Sequence, residues 1–102
     1  MNEVIIKLVG FVGGHHPLLG QYVVKFDPAI RRDGTILLQT TGDPKKATVY
    51  ADNGAAWELW LAVSPNQPVR RYDGKPNRPM TAFTVKMVPL ERALRPPRRL
   101  DA

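Results

Sequence analysis

The sequence predicts a two-layer α+β domain in which a single helix packs on one face of an antiparallel sheet of four or five strands. Five segments have the apolar pattern of strands and one has helical periodicity, in the order β-β-β-β-α-β. Short turns separate the first four strand segments, and such turns favour antiparallel neighbours.

Alternation of apolar and polar residues predicts the first two strands, at 4–12 and 21–27. Each strand has one apolar face, formed by Val4, Ile6, Leu8 and Val12 in the first and by Tyr22, Val24 and Phe26 in the second. Val23 is an exception to the second pattern. The glycines and proline of 13–17 predict a loop between the two strands.

Three further strands are predicted, at 35–40, 47–51 and 81–87. A tight Asp33–Gly34 turn precedes the third strand, and a second turn at 41–44 ends it. Four prolines within 64–80 exclude a helix or a central strand there, so this stretch is predicted to be a long loop.

One helix is predicted over residues 52–64. Asp52 suits its start, because a carboxylate accepts hydrogen bonds from the first free amides. A helical wheel places Trp60 opposite Glu58 and leaves Leu61 half exposed. The residues expected to face the sheet are Ala56, Trp60 and Val63.

A chain of 102 residues is predicted to form one domain, at 1–90, followed by a basic and flexible tail at 91–102. Residues 1–66 contain six Lys or Arg and six acids, whereas residues 67–102 contain nine Lys or Arg and three acids. The whole formal charge of +6 therefore comes from the last third. This distribution predicts an anionic partner.

The composition predicts a soluble, cytoplasmic protein without membrane contact. There is no cysteine, which fits a reducing compartment and excludes disulfides and thiolate metal sites. The first residues lack a basic signal-peptide region, and the longest apolar run, at 4–12, is too short to cross a bilayer.

No pattern indicates catalysis, a cofactor or a metal, so we expect a protein that is not an enzyme. His15 and His16 are adjacent, but a metal normally needs a third ligand, and no carboxylate lies within ten residues of them. We expect polar loop residues there, one of them packed against the sheet edge. Ser64 is the only serine and lies outside any nucleophile motif.

The strongest candidate site is a basic loop at 69–78. Four cations and one aromatic residue fall within nine positions around an Asp–Gly turn: Arg70, Arg71, Tyr72, Lys75 and Arg78. Arginine matches phosphate geometry, and a tyrosine ring offers a surface for stacking. The alternative is structural, with Arg70 and Arg78 bonded to backbone carbonyls and Tyr72 packed on the sheet edge.

A second basic element lies in the tail and contains Arg92, Arg95, Arg98 and Arg99. Basic tails bind nucleic acid without sequence preference, although they also serve as solubilising ends.

The segment at 73–85, DGKPNRPMTAFTV, resembles a segment of small uncharacterised proteins of phages and prophages. Residues 51–60, Gly20–Gln21–Tyr22 and Phe26–Asp27 are similar to the same group, so that the resemblance covers about half of the chain. It implies a phage or prophage origin and no particular activity.

These observations predict a binding domain that contacts nucleic acid through phosphates, using the 69–78 loop and the tail. The alternative is a phage accessory module that binds an acidic surface of a host protein. Both hypotheses rest on the positive charge of residues 67–102.

Overall fold

A four-stranded antiparallel sheet with a helix on one face confirms the predicted α+β class. The computed structural model of the protein describes residues 2–94. The strands β1 to β4 are Val4–Phe11, Tyr22–Asp27, Leu37–Thr41 and Phe83–Pro89, and the helices α1 and α2 are Asn53–Trp60 and Leu90–Ala93. The sheet order is β3-β2-β1-β4. Short 3-10 helices occupy Pro44–Lys46 and Pro79–Ala82.

The inner face of β1 follows the predicted alternation only as far as a bulge. Ile6 and Leu8 are fully buried in the core, as expected. The register with β4 then shifts between Leu8 and Gly10, so Phe11 returns to the core instead of Val12. The prediction for Val12 was wrong, because this side chain is 80% exposed.

A second bulge changes the inner face of β2. The register with β3 shifts between Val23 and Lys25, and both Val23 and Phe26 therefore contribute to the core. Val23 is fully buried, whereas Val24 and Tyr22 are only half-buried. The assignment of Tyr22 and Val24 to the inner face was wrong, because an extra residue in a strand reverses the alternation beyond it.

The segment predicted as a fourth strand, 47–51, is not a strand: it forms one isolated bridge with β1, and the amide of Thr48 donates to the carbonyl of Val23 in β2 at 3.2 Å. Tyr50 and Val4 exchange two backbone hydrogen bonds, of 2.8 and 3.0 Å. Asp43 caps the 3-10 helix before this segment, and Asp52 caps α1 immediately after it. The chain between these two caps is therefore short, and the sheet has four strands. Partial burial raises the pKa of Tyr50.

The helix α1 begins as predicted and ends earlier. The Asp52 carboxylate accepts a 2.8 Å hydrogen bond from the amide of Ala55. Ala56 and Trp60 are buried against the sheet, whereas Val63 lies beyond the end of the helix and is exposed. The prediction that Val63 faces the sheet was wrong.

The Asp33–Gly34 turn has the predicted geometry. Gly34 adopts a φ of 84°, and the Asp33 carboxylate accepts hydrogen bonds from the amide and hydroxyl of Thr35. These hydrogen bonds hold the pKa of Asp33 below its usual value.

Within residues 2–94, no helix combines the length and the hydrophobicity that crossing a membrane requires.

Candidate functional site

The predicted long loop contains a small hairpin, which we call the basic hairpin (residues 68–77). Val69 and Pro76 form an isolated antiparallel bridge, and the amide of Arg70 donates to the carbonyl of Lys75 at 2.9 Å. At the tip, Gly74 has a φ of 70°, and its amide donates to the carbonyl of Arg70. A glycine suits this position because other residues are strained at positive φ.

Hydrogen bonds fix the base of the basic hairpin to the body of the protein. The amide of the fully buried Ser64 donates to the carbonyl of Asn77 at 2.8 Å. The side chain of Asn66 accepts from the amide of Ile30 at 2.9 Å and donates to its carbonyl at 2.6 Å. Because Asn66 is 36 residues from Ile30 in the chain, the sequence alone does not reveal this contact.

Two of the predicted binding arginines already have partners within the protein. Arg70 forms an ion pair with Asp73, and its guanidinium lies 5.1 Å from the centre of the Tyr72 ring. Arg78 donates from Nε to the carbonyl of Leu61 at 2.9 Å. The structural interpretation therefore describes Arg78, while Arg70 bonds to a carboxylate rather than to a carbonyl.

Three other predicted residues project from the hairpin. Tyr72 is 81% exposed and does not pack on the sheet edge. Arg71 and Lys75 are exposed as well. Within the described part of the chain, the side chains of Arg71 and Lys75 form no hydrogen bond or ion pair. Their charges therefore remain available to an anion.

The predicted residues do not all share one surface. A shallow groove of about 500 Å³ is lined by Arg70, Tyr72, Lys75 and Arg78. Arg71 lines a second groove, of about 390 Å³. Arg70, Tyr72 and Asn77 border both grooves. The basic hairpin is therefore an exposed cationic projection with Tyr72 near its tip, and it does not form an enclosed pocket.

Asp73 is the hairpin residue that sequence reasoning did not single out. Its carboxylate holds the guanidinium of Arg70 and accepts a 3.0 Å hydrogen bond from the amide of Lys75. The Asp–Gly pair was the available signal, because aspartate before glycine is typical of tight turns.

The tail residues Arg95, Arg98 and Arg99 lie outside the described residues. Arg92 is exposed on α2.

His16 packs against the sheet in an aromatic cluster, which confirms the expectation for one of the two histidines. Its ring centre lies 4.8 Å from that of Phe11 and 4.9 Å from that of Phe83. Nδ1 accepts a hydrogen bond from the amide of Leu18 at 3.1 Å. Among residues 2–94, no three His, Asp or Glu side chains come together in a group that suits a metal ion.

We expect zinc or nickel to leave the melting temperature of the protein almost unchanged. If the protein had a metal site, a metal concentration of a hundred times the dissociation constant would add about 2.7 kcal/mol to stability, which a thermal scan detects. A metal-dependent rise in melting temperature that disappears in the His15→Ala, His16→Ala variant would contradict this expectation.

No protein-family model, no curated protein and no solved structure matches this chain. The assignment of a function therefore depends on the basic hairpin and on the charge distribution.

Proposed function

We propose that this protein is a non-enzymatic domain that binds nucleic acid through its phosphates, using the basic hairpin and the C-terminal tail. The supporting observation is the pair of exposed cations beside Tyr72, on a hairpin that hydrogen bonds hold in one conformation. Ordered cations lose less conformational entropy on binding than cations on a mobile loop.

Each group on the hairpin has a distinct role in this proposal. Arg71 and Lys75, which line different grooves of the basic hairpin, each bind a phosphate, and Arg70 positions Tyr72 for contact with bases. Contacts of this kind are largely independent of sequence, since phosphates are the same along the chain and every base has a face for stacking. The tail arginines Arg95, Arg98 and Arg99 add further phosphate contacts.

The test is fluorescence anisotropy with labelled duplex and single-stranded oligonucleotides over a salt series. For duplex DNA we expect a slope of log affinity against log salt of about −3 to −6, since each neutralised phosphate contributes about −0.9. The Arg71→Ala, Lys75→Ala variant should bind more weakly and give a slope about 2 units less steep.

A matched control separates specific contacts from a general loss of charge. The Lys45→Ala, Lys46→Ala variant also removes two positive charges, but from the 3-10 helix after β3. Its slope should remain close to that of the unmodified protein. Replacing the three tail arginines with alanine should flatten the slope by up to about 3 units. Absence of binding to every oligonucleotide at about 50 mM salt would contradict the proposal.

A protein partner is the second candidate, and a different surface favours it. The solvent side of α1 and the residues just after it expose large apolar side chains: Trp57, Leu59, Leu61 and Val63. Exposed apolar clusters of this kind mark interaction sites. A partner that covers this surface would change the fluorescence of Trp57, while buried Trp60 would report little. In the Trp60→Phe variant, such a change would be assigned to Trp57.

A further inference from the structure

A second cationic surface lies on the face of the sheet opposite α1. Ile6 and Leu8 turn one face of β1 toward the core, so Lys7 between them lies on the other face. The strand register places Lys7 opposite Lys86 of β4 on one side and opposite Tyr22 of β2 on the other. We call Lys7, Tyr22 and Lys86 the lysine row.

Packing restricts the position of one of the two ammonium groups. Lys7 is half-buried, and its Nζ lies 5.8 Å from the centre of the Tyr22 ring. A cation at this distance from an aromatic face is attracted to it. Lys86 is exposed beside it. The lysine row therefore combines a partly ordered charge with an adjacent exposed charge.

The two lysines repel each other within the protein itself. Like charges directly opposite on neighbouring strands destabilise a sheet. Within the part of the chain that the structure describes, the only ion pair joins Arg70 and Asp73, so no carboxylate there forms an ion pair with either lysine. An anion placed between them would replace this repulsion with two attractive interactions.

The lysine row lies midway along the ladder that β1 and β4 form. On one side of the lysine row, Ile5 is fully buried although it does not belong to the core cluster. The short helix α2 contacts β1 and β4. On the other side of the lysine row, the amide of Val12 donates to the carbonyl of Ala82, and both residues line the larger groove of the basic hairpin. Lys86 is four residues beyond Ala82 in the chain.

The spacing between the two surfaces suits a phosphodiester backbone. Four residues of strand span about 13 Å at about 3.3 Å per residue. Phosphates of one strand of a duplex follow each other at about 3.4 Å along the helix axis. A nucleic acid held at the hairpin therefore reaches the lysine row within about four nucleotides.

We propose that the lysine row is a second phosphate contact for the nucleic acid bound at the basic hairpin, so that the backbone continues from the hairpin onto the open face of the sheet. This inference rests on the proposed function. Phosphodiester oxygens bridge Lys7 and Lys86, while Tyr22 supports the ammonium of Lys7 and does not stack with bases.

The experiment compares the full-length Lys7→Gln, Lys86→Gln variant with the unmodified protein, using a labelled duplex in a salt series. We expect weaker binding and a slope of log affinity against log salt that is about 1 to 2 units less steep. The Lys7→Arg, Lys86→Arg variant keeps both charges and should keep the slope. As the matched control, Arg31→Gln with Arg32→Gln removes two exposed charges between β2 and β3 and should also keep it.

Thermal unfolding without nucleic acid gives an independent readout. The single Lys86→Gln variant removes the repulsion and keeps the contact of Lys7 with Tyr22, so its melting temperature should equal or exceed that of the unmodified protein. A lower melting temperature would show that the lysines stabilise the sheet in the free protein, which would overturn the argument from repulsion.

The remaining outcomes separate this inference from the proposed function. If the hairpin variant loses affinity while the glutamine variant keeps the full slope, the proposed function stands and the lysine row is not a contact. If the unmodified protein binds no oligonucleotide, both fail. Binding of poly-glutamate but not of the oligonucleotides, with the same dependence on Lys7 and Lys86, would overturn nucleic acid as the occupant.

Discussion

Replacing Trp60 with alanine is expected to lower the free energy of unfolding by about 3–5 kcal/mol. The indole is 1% exposed, and its ring centre lies 5.0 Å from that of Phe26 in an edge-to-face arrangement. Its Nε1 donates a 3.4 Å hydrogen bond to the carbonyl of Phe83. Small domains have a total stability of about 5–15 kcal/mol, so the loss would be a large share of it. Urea unfolding measures the effect.

The neighbouring Leu61 provides the control for this prediction. Leu61 is 42% exposed, and the Leu61→Ala variant should change the free energy of unfolding by only about 0.5 kcal/mol, as is usual for surface positions. If Leu61→Ala were the more damaging change, the face of α1 that packs on the sheet would be assigned incorrectly.

Sequence periodicity was sufficient for the fold class and for the burial of Trp60, but it failed where the strands contain bulges. Alternation holds at Ile6 and Leu8 and then fails at Val12, because the register shift before Gly10 reverses the faces. The one sign of the bulge in the sequence is the glycine at position 10, where a Cβ would lie 3.2 Å from the Cβ of Thr84. This glycine can be interpreted only when the partner strand is known, and the sequence does not identify that strand.

The sequence identifies the basic segment, but it does not show that the arginines within it have different roles. Charge density alone makes Arg70, Arg71 and Arg78 equivalent candidates. The structure distinguishes them through the contacts of Arg70 with Asp73 and of Arg78 with the carbonyl of Leu61. The second of these contacts spans 17 residues, so it depends on the packing of the hairpin beside the end of α1.

The lysine row shows the same limit for charges on strands. Lys7 and Lys86 occupy ordinary polar positions in two alternating strands, 79 positions apart in the sequence. Only the register of β1 with β4 makes them direct neighbours. Patterns within one segment predict which face a side chain occupies, while the pairing of distant strands decides which charges meet.

Replacing Tyr72 with alanine is expected to weaken binding to single-stranded oligonucleotides about 5- to 150-fold, which corresponds to the loss of about 1–3 kcal/mol of stacking with one base. The guanidinium of Arg70 covers one face of the ring, at 5.1 Å from its centre, and the residue is 81% exposed. In the proposed function, a base stacks on the other face of the Tyr72 ring. Duplex binding should change much less, because paired bases are stacked within the helix.

Fluorescence anisotropy at about 50 mM salt measures this effect, since phosphate contacts are strong at low salt. The Tyr72→Phe variant keeps the ring and removes the hydroxyl, so it should retain nearly all of the affinity. Because Tyr72 is exposed, neither substitution should change the free energy of unfolding by more than about 0.5 kcal/mol. Equal losses on single-stranded and duplex oligonucleotides would contradict stacking, and an affinity of the phenylalanine variant as low as that of alanine would assign the contact to the hydroxyl instead of the ring.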